Sequence, residues 1–231
     1  LPEWIEPAFL RQQKWLSWRD SLLALHAPQL EADLDTRALP RLRLAYDEML
    51  ASQLALALTR ARYRRLSGRA ITGDGQLRHA ALAALPFCLT KSQKQALSEI
   101  TEDMKSTSRM LRLLQGDVGS GKTVVAFLSM LTAAEAGTQA VLMAPTEILA
   151  RQHMATIVPL AKASGVDAIL LTGREKGKNR GNVLEGLATG ETTLAVGTHA
   201  LFQEGVVFAD LSLAVIDEQH RFGVHQRMLL A

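Results

Sequence analysis

Apolar positions change texture once along this chain. In the first 75 residues they recur three or four apart, the spacing that lines one side of a helix. Ser17 can cap a helix that runs to about His26, and Pro28 ends it. Asp35 or Thr36 caps a longer helix over 36–66, with Pro40 in or just before the first turn, where proline is tolerated. Leu42, Ala45, Met49, Leu50, Gln53, Leu54, Ala57 and Leu58 keep its register. Residues 51–58, Ala-Ser-Gln-Leu-Ala-Leu-Ala-Leu, are apolar nearly all round, which predicts burial on several sides. From Pro86 short apolar runs alternate with helical segments. Strands are predicted at about 111–115, 140–144, 167–171, 193–197 and 213–217. A helix at Lys91–Lys105 (capped by Thr90) precedes them, and helices at 123–136 (amphipathic) and 148–163 (capped by Thr146) lie between them. This alternation predicts an α/β fold with a mainly parallel sheet, helices on both faces and function at the carboxyl edge of the strands. Gly68–Gly75, with Gly-Asp-Gly at 73–75, is the predicted linker, so an all-α segment over 1–75 precedes the α/β part over 76–231.

One stretch between predicted elements carries chemistry. The apolar run at 111–114 leads through Gln115 into Gly116-Asp117-Val118-Gly119-Ser120-Gly121-Lys122-Thr123, and a helix follows. Gly-x-x-x-x-Gly-Lys-Thr between strand and helix is the phosphate-binding loop of nucleotide triphosphatases. Backbone N–H groups must converge on a polyphosphate, so the chain curls tightly, and Gly116, Gly119 and Gly121 permit positive φ and close approach. The helix N-terminus adds partial positive charge. Lys122 brings a full charge to the outer phosphates and is predicted to face solvent without nucleotide. Thr123 offers a hydroxyl to Mg²⁺. Further on, Leu213-Ala214-Val215-Ile216 runs into Asp217-Glu218. Asp217 at that strand end is placed to hold Mg²⁺ through water, and Glu218 to polarise the attacking water. ATP and Mg²⁺ are the cofactors this pair of motifs implies, on a phosphate-loop fold.

Composition adds less. The chain of 231 residues is 48% apolar, enough for a large core, and no run approaches a membrane span. The start, Leu-Pro-Glu-Trp, lacks the basic and apolar stretches of a secretory leader. One cysteine, Cys88, excludes an internal disulfide and fits a reducing compartment; after Phe87 it reads as a small buried hydrophobe. A net charge of +3 permits a nucleic-acid partner without arguing one. All three tryptophans lie in residues 1–30, as a small core or packing face, or alternatively as a surface on which bases stack. Arg60, Arg62, Arg64, Arg65 and Arg69 suit a helix C-terminus or contact with phosphates. Arg174, Lys176, Lys178 and Arg180 form a basic loop around Gly177, either solvated or facing phosphates.

Beyond single motifs, the order of motifs resembles that of one family. Asp217-Glu218-Gln219-His220-Arg221-Phe222-Gly223-Val224 resembles motif II of the RecG family of ATP-dependent DNA helicases, within helicase superfamily 2. Pro86–Gln93 resembles the motif ahead of its phosphate loop, and Leu114–Ala126 resembles motif I. Ala144–Ala150 resembles motif Ia, and Leu170–Gly173 and Val196–Leu201 resemble the two motifs that follow. The resemblance is strong over about 80–231, and it implies a RecA-like first motor lobe in the cytoplasm of a bacterium, acting on branched DNA in recombination and repair. It implies that Gln93 meets the adenine edge and that Phe87 stacks on the base, although a Phe there is equally at home in a core. It implies that Pro145, Thr146, Thr172, Gly173, Thr198 and His199 meet DNA phosphates without reading sequence, although each taken singly is an ordinary strand-end or capping residue. Gln219 and His220 would couple nucleotide state to DNA grip; no partner ligands at useful spacing suggest that His199 or His220 holds a metal. The resemblance further implies a wedge domain, a second motor lobe with an arginine finger, and a further motif shortly after residue 231. Residues 1–75 then join wedge to motor, the chain is a piece of a longer protein, and the piece alone should hydrolyse ATP hardly at all.

Other readings compete. The related motor of the transcription-repair coupling factor differs in the residues after Asp217-Glu218 and in the long helix. A phosphate-loop kinase or transporter ATPase lacks the Thr-rich strand ends and Gln93. A DNA-binding module with a vestigial ATP site has no need of an intact Lys122, Thr123, Asp217 and Glu218.

Overall fold

The structure, a computed structural model, describes residues 2–65, 67–175 and 177–218; within the long helix the side chains of 60 and 62–65 are outside the description. Gln219 and His220 therefore lie outside the described residues, as does Lys176. Two compact units divide at residues 65 and 66.

The first unit is all-α, as its periodicity predicts. Helix α1 (Pro7–Gln13) and helix α2 (Trp18–His26) are followed by a 3₁₀ turn (Glu31–Leu34) and helix α3 (Leu39–Arg65). Ser17 caps α2 by accepting from the Asp20 N–H at 3.1 Å. Phe9, Trp15 and Tyr46 form one aromatic cluster with centroids 5.2–5.8 Å apart. Arg43 of α3 is fully buried, pairs with Glu3 at 2.9 Å and with Asp47, and lies over the Trp4 ring. The predicted burial of 51–58 is not met, since all of 51–59 is exposed. The N-terminal segment meets α3 at Arg43 and helix α1 meets it at Tyr46, both near its start, and the apolar stretch is left uncovered among the described residues.

The second unit begins ten residues earlier than the predicted linker boundary. Residues 67–75 are tied into it by backbone bonds, Gly68 N–H to Thr107 C=O at 2.6 Å and Ile71 N–H to Met104 C=O at 2.8 Å. Ile71 is buried in its core. The buried Glu135 carboxylate accepts from the N–H groups of Gly75 and Arg78, capping helix α4 (Gln76–Ala84). Helix α5 (Lys91–Lys105) starts at a reciprocal box in which Thr90 and Gln93 each accept the other's backbone N–H.

Four parallel strands, β1 (Gln139–Met143), β2 (Ala168–Leu171), β3 (Leu194–Gly197) and β4 (Leu211–Ile216), lie in the order β2-β3-β1-β4. Between them run helix α7 (Glu147–Ala163), helix α8 (Gly177–Thr189) and a 3₁₀ turn (His199–Phe202); helix α6 (Lys122–Glu135) precedes β1. Side chains alternate across the sheet with period two. Ala140, Leu142, Leu194 and Val196 join a core with α5, α6 and α7, while Val141, Met143 and Ala195 join a second core with Leu187 of α8 and Ala200 and Leu201. Helix α6 is buried at every position from Val124 to Ala133, because it is packed among α4, α5, α7, β1 and β4 rather than lying amphipathically on the surface.

Three further expectations are corrected. Residues 111–115 form no strand: Leu111 and Leu113 are exposed, and Arg112 instead anchors the segment to α5 through Glu99 and Asp103, both at 2.7 Å. Cys88 is exposed, in the turn between α4 and α5. The basic loop around Gly177 is the start of α8, so Lys178 and Arg180 are helical.

Candidate nucleotide and DNA site

The chain passes from β1 to the sheet edge at β2, returns to β3, then crosses to the opposite side of β1 to form β4. A crevice opens outside the carboxyl ends of parallel strands where such a reversal occurs. Across that edge the strand ends present, in order, Thr172 and Gly173, Thr198 and His199, Pro145 and Thr146, then Asp217 and Glu218.

The phosphate loop curls through Gly119 (φ 80°) and Gly121 (φ 81°), both in the left-handed region that favours glycine. Gly116 has a different reason to be glycine, since a Cβ there would come 2.7 Å from Ser120 Oγ. Among the described residues no side chain caps α6. The N–H groups of Val124 and Val125 return to the Gly121 C=O at 3.1 and 3.3 Å, so the N–H groups ahead of them are the ones offered to an anion at the positive end of the helix. Lys122 is half-buried, contrary to the solvent-facing expectation, and its Nζ donates to the carbonyls of Gly116 (2.7 Å) and Asp117 (2.8 Å). These carbonyls stand where a phosphate would compete for the ammonium. Val118 is fully exposed at the loop's tip.

Because the Lys122 ammonium, among the described residues, hydrogen-bonds to carbonyls of its own loop, Lys122→Ala should weaken nucleotide binding without unfolding the unit. Charge-assisted bonds contribute about 1.5–3 kcal/mol each, so affinity should fall at least roughly tenfold. Calorimetric titration with ATP checks this; equal affinities in wild type and variant would refute the role.

The residues placed at the base do not converge on one pocket. Gln93 uses both ends of its amide internally, accepting from the Thr90 N–H at 2.8 Å and donating to the Ser120 C=O at 2.8 Å. Phe87 is 48% exposed and lines an open groove of about 810 Å³ with Leu82, Leu85, Cys88 and Leu97, a groove Gln93 does not line.

A residue missed in the sequence joins the two halves of the site. His153, on α7, places Nδ1 3.3 Å from the Thr123 hydroxyl and Nε2 2.8 Å from Asp217 Oδ2. One imidazole thus spans the loop hydroxyl and the strand-end carboxylate. Its helical spacing was the available signal, since His153 falls three residues after buried Ala150 and four before buried Ile157, on the helix's inner face. Glu218 follows in the left-handed region (φ 51°), unusual for a residue with a side chain.

The DNA candidates divide by exposure. Thr146, Gly173 and His199 are exposed and Pro145 half-buried, with Thr146 also capping α7. Thr172 and Thr198 are buried. The Thr172 hydroxyl donates to Glu175 at 2.6 Å and Thr198 accepts from the Ala200 N–H, so neither side chain is presented to a backbone phosphate as expected. Burial pushes the Glu175 carboxyl up, but the hydroxyl and N–H of Thr172 and the charge of Arg151 hold it below its ordinary value. Arg151 and Arg174 are each paired, with Glu147 at 2.8 and 3.2 Å.

Among the described residues no group of three or more His, Cys, Asp or Glu could hold a metal. The Thr123 hydroxyl and the Asp217 carboxylate, both in contact with His153, are oxygen donors of the kind that fits Mg²⁺, which keeps several waters and takes one or two carboxylates plus substrate phosphates.

Residues 90–230 match the family model of the DEAD/DEAH box helicases. The chain belongs to that family. Membership carries nucleotide binding, in agreement with the loop and the strand-end acids. The chain is 44% identical over 218 residues to the ATP-dependent DNA helicase RecG of Haemophilus influenzae, covering 93% of this chain and 32% of that protein. It is 43% identical over 231 residues to the RecG of Bacillus subtilis strain 168, covering 100% and 33%. Among solved structures, RecG bound to a three-way DNA junction is similar at TM-score 0.79 and 40% identity, over 96% of this chain and 30% of that one. The chain thus spans about a third of the length of these curated relatives.

Proposed function

We propose that this chain is the first ATP-binding motor lobe of a RecG-type helicase or translocase that remodels branched DNA, such as stalled forks and Holliday junctions, in recombination and repair. The observation that carries this reading is the meeting of Thr123 and Asp217 on His153, at the carboxyl edge of a sheet whose neighbouring strands end in the DNA candidates. ATP enters with its phosphates on the loop of Gly116–Thr123. Lys122 offsets their charge, and the oxygens of Thr123 and Asp217 would hold Mg²⁺, which would supply further charge neutralisation at the phosphates. Glu218 takes the proton of the attacking water. Gln93 and Phe87 have to leave their present arrangements to close on a base.

DNA lies along the strand ends, met by Thr146, Gly173 and His199; Pro145, which has no N–H, meets it by contact alone, while Thr172 and Thr198 shape the track through their bonds to Glu175, Leu171 and Ala200. A second motor lobe and a wedge domain of a longer chain complete the machine. Gln219 and His220 couple the site to DNA. The compartment is the bacterial cytoplasm, and no described helix is long and apolar enough to cross a membrane. The RecG identity of the relatives supports this reading over the transcription-repair motor.

The test is DNA binding and turnover. Affinity for a three-way junction should fall log-linearly with salt, each phosphate contact adding about −0.7 to −0.9 to the slope, and should ignore base sequence. In a chain of the relatives' length, junction DNA should stimulate ATP turnover above linear duplex of equal length. Base-specific binding that survives high salt, or turnover indifferent to DNA, would overturn the proposal.

A further inference from the structure

His153 belongs to none of the motifs recognised in the sequence, yet it is the group that touches both residues assigned to the metal. Its side chain is 13% exposed and that of Asp217 27%. The two contacts fit one tautomer of the ring. An ionised carboxylate only accepts, so Nε2 at 2.8 Å from Asp217 Oδ2 carries the hydrogen. In that tautomer Nδ1 is an acceptor, 3.3 Å from the Thr123 hydroxyl, which can donate to it. A hydroxyl that donates its hydrogen bond to such an acceptor keeps its lone pairs for a metal.

We infer that His153 is a positioning residue for the metal site: it accepts the hydrogen bond of the Thr123 hydroxyl and donates one to the Asp217 carboxylate, so that both oxygens are aimed before the metal arrives. This rests on the reading that Thr123 and Asp217 hold Mg²⁺. Partners behind metal ligands orient them and tune their basicity, and losing one typically costs about 10–100-fold in metal affinity. In this tautomer His153 supplies one acceptor and one donor on opposite sides of a rigid ring; a glutamine amide supplies an acceptor and a donor in a planar group.

The experiment titrates Mn²⁺, followed by its EPR signal, into the full-length protein with ADP, for wild type, His153→Ala, His153→Gln and Asp217→Asn. ADP affinity without metal is measured on each by calorimetry. His153→Ala should weaken Mn²⁺ binding by about 10–100-fold and leave metal-free ADP affinity unchanged, while His153→Gln should recover part of the loss. If Mn²⁺ affinity is unchanged in His153→Ala but falls in Asp217→Asn, the inference fails and the metal site stands. If Asp217→Asn is also unchanged, the site reading itself fails. A fall in metal-free ADP affinity as large as the fall for Mn²⁺ would show a merely structural histidine and overturn the inference. Should His153→Ala not fold, a His153→Gln protein that folds and binds Mn²⁺ no better than Asp217→Asn overturns it equally.

Discussion

Residues 1–231 alone should bind ATP with Mg²⁺ and turn it over about 10³–10⁵ times more slowly than the same residues within a chain as long as the RecG relatives. Phosphoryl transfer spreads negative charge over the equatorial oxygens of the γ-phosphate and over the leaving oxygen, and that charge needs compensation from several sides. The described site supplies one side: Lys122 on its loop, with the Thr123 hydroxyl and Asp217 carboxylate linked through His153. Arg151 and Arg174, on the strand-end side of the sheet, are paired with Glu147. In two-lobe motors an arginine enters from the opposing lobe, and the expected factor is about 4–7 kcal/mol of barrier. Steady-state phosphate release, with junction DNA and saturating ATP, compares the piece with the longer chain. Comparable turnover would show that the missing charge comes from within these 231 residues.

Glu218→Gln in the longer chain should keep nucleotide affinity and lose turnover by about 10²–10⁴-fold, the range for removing a general base. Glutamine occupies nearly the same volume, so the backbone held at φ 51° and the neighbouring Asp217 should remain in place. The amide cannot take a proton from water. Single-turnover hydrolysis separates the effect from product release, and calorimetry checks that binding is intact. Turnover within a factor of a few of wild type would return the role of base to another group.

Much of this protein follows from the sequence alone. Capping is local chemistry, so Ser17, Thr90 and Thr146 marked the starts of α2, α5 and α7 without knowledge of their neighbours. The phosphate loop was equally legible, because positive φ at Gly119 and Gly121 and a cation at Lys122 are demands of a dozen consecutive residues. Strands of parallel sheets are buried on both faces and read as apolar runs, and four of the five predicted were found. Tertiary structure decided the rest, wherever a residue's role depends on a distant partner. The apolar run at 111–114 forms no strand, since Arg112 is drawn to Glu99 and Asp103. Residues 51–59 are uncovered because burial requires a second surface that helical periodicity cannot supply. Thr172 and Thr198 are turned to internal partners, which no strand-end rule reveals. His153 is the clearest case. Nothing in its local sequence distinguishes it from a histidine packed in a helix face, and only the crossing of the chain from β3 over to β4 brings Asp217, 64 positions away, to within 2.8 Å of its ring.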